Sequence, residues 1–142
     1  MFSREASKKL RQEFWVAFGK SYPRKWILYD TKIKGLTLKF HFDLKGAMVV
    51  MDVEHADLEQ RIELWEKLMS LRSILTENHL PNAQFEDYYL LDNQKEISRI
   101  FVAKQGVSIH DKNTWQAAMV FMSTQMASLE DFFMDYRDII NG

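Results

Sequence analysis

The chain has 142 residues and a mass of 16.9 kDa, with 46% hydrophobic and 27% charged residues, eight Met and no Cys. That length closes one core without a disulfide or metal staple, and the lack of Cys excludes disulfides, thiol nucleophiles and cysteine zinc sites. A formal charge of −1 gives no global attraction for nucleic acid, and neither a leader-type apolar region nor a run near the roughly 18 residues of a membrane span is present. A cytoplasmic α+β domain over 1–142 is expected.

Residues 3–19 have helical spacing, with Ser3 as N-cap, Leu10, Phe14 and Ala17 on one stripe, and Gly19 as the left-handed stop. Tyr22-Pro23 blocks continuation. Lys8, Lys9, Arg11, Lys20, Arg24 and Lys25 gather in this segment and its exit, a pattern usually met on a solvated face. Trp26 to Tyr29 forms a short apolar run.

Leu36, Leu38, Phe40 and Phe42 then alternate with Thr37, Lys39, His41 and Asp43, the period of a half-buried strand. The turn signal Asp43-Leu44-Lys45-Gly46 leads into a second strand, Ala47 to Glu54. A two-residue Lys45-Gly46 loop sets Lys39 opposite Asp52, whereas a three-residue loop with Gly46 as a bulge shifts the pairing by one. The first register is preferred, because a one-residue slip turns Asp52 and Glu54 onto the apolar face.

Asp57 and Gln60 resemble a capping box before a helix over about 57–78, which ends near Pro81. A second hairpin follows: Phe85 to Leu91, the polar link 92–95, then Ile97 to Ala103. Trp115, Met119, Met122, Met126, Leu129, Phe133, Tyr136 and Ile140 form a heptad seam on a final helix over 113–140. The implied fold is αββαββα: a four-stranded antiparallel sheet from two hairpins, each followed by a helix, with an additional N-terminal helix.

Trp26-Ile27-Leu28-Tyr29, the run Ile33 to Phe40, Met48 to Val53, Arg99-Ile100 and Trp115 together resemble the bacterial domain-of-unknown-function family 4268 in a short stand-alone form. Longer relatives carry this kind of domain after restriction-endonuclease-like modules. The resemblance therefore implies an accessory role near DNA, without assigning a catalytic residue.

Asp43 with Asp52-Val53-Glu54 has the acidic character of metal-dependent nucleases. In either register, however, Asp43 falls roughly 13–17 Å along the strand from Asp52, too far for one metal. His41, His55, His79 and His110 show no metal-ligand spacing. Neither a Gly-rich phosphate loop nor a Gly-x-Ser-x-Gly elbow occurs.

No catalytic, cofactor or metal residue is assigned, and the expectation is a non-enzymatic interaction or assembly module. A DNA-associated accessory factor or divergent nuclease is the alternative. Met119, Met122 and Met126 read as core or as an adaptable partner surface, and Tyr88-Tyr89 as a stacking platform only if basic residues flanked them. Met48, Val50, Tyr88, Leu90, Ile100 and Val102 are expected to share the sheet face that the helices leave open. That apolar patch, with the long final seam, points to a homodimer or another protein partner.

Overall fold

The computed structural model describes residues 2–142. Helix α1 spans Arg4–Ser21, strand β1 Leu36–Phe42, β2 Gly46–Val53, helices α2 Leu58–Ser70 and α3 Arg72–Asn78, strands β3 Gln84–Leu90 and β4 Glu96–Gln105, and helix α4 Trp115–Asn141. A single 3-10 turn, Lys112–Thr114, leads into α4. The strands form one antiparallel sheet in the order β1-β2-β4-β3, the α+β arrangement that the hairpin periodicities predict. No helix among the described residues is long and apolar enough to cross a membrane.

Ser3 caps α1, its hydroxyl accepting from Ala6 N at 3.1 Å. Gly19 does not end this helix, which runs on to Ser21 with Tyr22 as cap; Pro23 supplies the stop. The left-handed glycines are instead Gly35 and Gly106 (φ +82° and +80°), and at Gly35 a Cβ would lie 2.7 Å from Cβ of His55. Between Pro23 and Gly35 the irregular Trp26 to Tyr29 run, half-buried except for exposed Tyr29, guards the outer edge of β1, Leu38 N donating to Leu28 O at 3.0 Å.

The first hairpin turns on Leu44-Lys45. Asp43 Oδ1 accepts from Lys45 N and Gly46 N, fixing the turn one residue earlier than the loop expected from Lys45-Gly46. Lys39 therefore faces Val50 and Asp52 faces Thr37, two residues from the preferred register. Because the slip is even, every side chain keeps its face. Gly46 serves a different purpose: it starts β2 opposite Gln105, so close to the Lys104 carbonyl that a Cβ has no room.

The expected helix over 57–78 is two. Asp57 caps the first, accepting from Glu59 N and Gln60 N. At Leu71 the backbone leaves the helical path (φ −101°, ψ 6°), Leu71 N bonding Leu68 O, while Ser70 Oγ donates to Lys67 O. This break lets Leu71, Leu75 and Leu80 all turn into the core.

Helices α1, α2 and α4 cover one sheet face, that of Leu36, Leu38, Phe42, Val49, Met51, Val53, Ile100 and Val102. Phe14 of α1 sits on Phe42 at 4.5 Å between ring centres and on Trp115 at 5.2 Å. Met119, Met122 and Met126 are buried core residues, which settles the methionine stripe as packing.

Candidate interaction site

The sheet face without helices is the one on which the sequence placed an apolar patch. Its actual content follows from register. Asp52 pairs with Arg99 and Met51 with Ile100, so Ile100 and Val102 lie under the helices with the core, and not beside Met48 and Val50. Val50 is fully buried and Met48 half-buried, while Tyr88 and Leu90 are exposed. The six residues therefore do not form one surface. Glutamate substitutions at Val50 or Ile100 would strike the interior of the protomer.

Beside buried Val50, Ile97 and Phe101, the open face carries a ladder of charges. Arg99 grips Asp52 with two bonds, Nε to Oδ1 at 2.7 Å and Nη2 to Oδ2 at 2.9 Å, and both side chains are shut off from solvent. Lys39 reaches Asp52 diagonally at 3.3 Å and Glu54 at 2.9 Å. Thr37 Oγ1 donates to Glu54 at 3.0 Å, and Lys95 approaches its other oxygen at 3.6 Å. Tyr89 lies under the Arg99 guanidinium, 4.3 Å from it. Lys39 and Asp52, expected directly opposite each other, thus meet across a diagonal, and Asp52 is interior.

Titration follows from these contacts. Burial disfavours the charged forms of Lys39, Glu54 and Arg99. The bonds outweigh it: Glu54 and Asp52 hold the lysine above its ordinary range, Lys39 and Thr37 hold the Glu54 carboxyl below its own, and Asp52 raises Arg99. His41 moves the other way, lowered by burial and then by the charge of Arg99. Its Nε2 is buried without a hydrogen-bond partner among the described residues, beside a cleft of about 480 Å³ that Met48, Tyr89, Leu90 and Arg99 also line.

The acidic set of the nuclease reading is dispersed. Asp43 stands six residues along β1 from Thr37, the partner of Asp52, roughly 20 Å at strand rise. Asp43 is spent on the turn and Asp52 on Arg99. The four histidines also lie apart: the ring nitrogens of His55 and His110 bond Asp57 N and Ser7 Oγ, and His79 packs edge-on against Phe132.

The exposed apolar groove lies elsewhere, on the helical side at the far end of the sheet. Between Glu86 and Tyr89 a bulge sets Asp87 and Tyr88 together opposite Ser98, whose hydroxyl donates to Asp87 O at 2.6 Å. The bulge tips Tyr88 toward α2, where it lines a groove of about 590 Å³ with Leu58, Ile62 and Trp65. Leu58, Ile62 and Tyr88 are 56%, 47% and 59% exposed.

Arg61 at the groove floor is neutralised by Glu96 at 2.6 Å. Glu66 and Asp87 on the rim have no cationic partner among the described residues, so the groove is apolar with a net acidic border. In the sequence Leu58 and Ile62 stand only as apolar positions at helical spacing. A stripe at 58, 62 and 65 beside acidic residues was the available signal, but burial of a stripe is not visible in spacing.

At the opposite end, α1 lies over β1. Residues 3–25 carry Arg4, Lys8, Lys9, Arg11, Lys20, Arg24 and Lys25 against Glu5 and Glu13, formally +5 in a chain of −1. Arg24 is drawn inward to buried Glu130 at 2.6 Å, which also accepts from Ile27 N. Glu13 is held by Lys112. Lys8, Arg11, Gln12, Trp15 and Val16 line an open depression on the outer side of the helix.

No curated protein and no solved structure matches the chain. The family described as Domain of unknown function (DUF4268) matches residues 10–137, nearly the whole sequence, and the chain belongs to that family.

Proposed function

We propose that the chain is a non-enzymatic interaction module of the bacterial cytoplasm, docking an amphipathic basic segment of a protein partner between α2 and β3. The observation that carries this reading is the groove itself: Leu58, Ile62 and Tyr88 stand exposed around Trp65, bordered by Glu66 and Asp87, which have no cationic partner among the described residues. Contiguous exposed apolar surface with a polar rim marks an interaction site, and an amphipathic helix laid into such a groove buries its apolar face while its lysines meet the rim. Self-association is one form of such docking.

A short designed Leu/Lys amphipathic helix is a sufficient probe. Its addition should move the NMR signals of Leu58, Ile62, Tyr88 and the Trp65 indole, and Ile62→Asp should weaken binding on the order of tenfold, as for a central apolar anchor. Equal shifts with a Leu/Glu helix, or shifts scattered over the surface, would remove the groove as the site.

The basic α1 favours a second reading, a DNA-associated accessory factor. A duplex should then be retained at low salt, released steeply as salt rises, and lost in Lys8→Glu/Arg11→Glu. Retention unchanged by that pair of substitutions would rule out α1 as a DNA-binding surface.

A further inference from the structure

We infer that the partner of the α2/β3 groove is the α1 face of a second copy of this chain. The inference rests on the docking reading above and adds the occupant. Both halves of a complementary contact exist on one molecule. The groove presents Leu58, Ile62 and Tyr88 with Glu66 and Asp87 at its border. The outer side of α1 presents half-buried Trp15 and 57% exposed Val16 beside Lys8 and Arg11. An aromatic and a β-branched anchor flanked by two cations is the chemistry that an apolar groove with two carboxylates at its border selects.

The two patches cannot meet within one chain. Helix α1 packs on β1 through Phe14–Phe42 and Phe18–Phe40, whereas the groove is built on β3 and α2. These strands are the two outer members of the sheet, and both patches belong to its helical layer. A second molecule stacked helical layer to helical layer about a two-fold axis, with its sheet order reversed, brings each α1 against the other's groove, forming the contact twice and closing the pair. Opposed charges set the register between copies and make the association weaken as salt screens it.

Light scattering coupled to size exclusion on the full chain tests this. The wild-type mass should climb from 16.9 kDa toward twice that value with concentration, and fall back as salt is raised. Lys8→Glu/Arg11→Glu and Glu66→Lys/Asp87→Lys should each remain monomeric, since in each one patch now repels its partner. An equimolar mixture of the two variants should recover the association, because both contacts are then of opposite charge.

Circular dichroism of each variant reports that it is folded, and all four positions sit on the surface. A wild-type mass that stays at the monomer value overturns the inference, as does a mixture no heavier than its components. Groove shifts with the Leu/Lys helix on a strictly monomeric chain would leave the docking reading standing and sink only the second copy. Loss of both would sink the two together.

Discussion

Asp52→Ala is expected to lower the unfolding free energy by about 3–5 kcal/mol, the range for removing one partner of a buried ion pair. The substitution leaves the Arg99 guanidinium enclosed between β2 and β3 with its two strongest acceptors gone, and removes the diagonal partner of Lys39. The cost is the uncompensated charge, so removing both charges should cost far less. Asp52→Leu/Arg99→Met fills the same space with apolar atoms and should recover most of the loss. Urea unfolding at constant m-value reads both. A single-variant loss below about 1 kcal/mol would mean that Arg99 reaches water and that the pair behaves as a surface bridge.

Phe14→Ala is expected to cost about 3–5 kcal/mol by a different mechanism, the transfer and cavity terms of a deleted core ring. Phe14 is completely enclosed and is the hub of an aromatic group from three parts of the chain. Trp15 and Phe18 belong to its own helix, Phe42 to β1 and Trp115 to the start of α4. Removing it detaches α1 from the sheet and from α4 together. Phe14→Leu, which keeps most of the volume, should cost on the order of half as much. Near-ultraviolet circular dichroism should weaken in the alanine variant, since Trp15 and Trp115 lose the same neighbour. Equal costs for the two substitutions would show that the site collapses around any residue.

The order of elements was legible because it rests on period. Leu36 to Phe42 alternates, the seam of α4 repeats at three and four, and the register slip from the Lys45-Gly46 loop to Leu44-Lys45 preserved every face because it is even. What sequence alone did not give was the pairing between hairpins. Strand β4 has an unbroken run of six buried residues, Ile97 to Val102, so composition does not tell its two faces apart; only the pairing of Asp52 with Arg99 does. Assigning Ile100 and Val102 to the open face followed from that ambiguity, as did the expected patch around Val50. The break at Leu71 carries neither Gly nor Pro, and its signal, Ser70 bonding back to Lys67 O, is conformational. The groove depends on a bulge at Asp87-Tyr88 that no turn residue announces.

The strand order has a kinetic consequence. Each hairpin joins neighbours in sequence, through turns at Leu44-Lys45 and 91–95, and such local closures form in roughly 1–10 μs. The seam between the hairpins is remote: Met51 meets Ile100 across forty-nine positions, with α2 and α3 looped between. That seam also carries the Asp52–Arg99 bond and forms the middle of the sheet, so neither hairpin can bury its apolar face until it closes. The refolding barrier of this chain is therefore expected at the β2–β4 union, where loop-closure entropy is lost before burial compensates it. Destabilising changes at the hairpin tips, which close before that barrier, and at Val49, Met51, Ile100 and Val102, which form it, are expected to slow folding, whereas changes at contacts made after it are expected to speed unfolding.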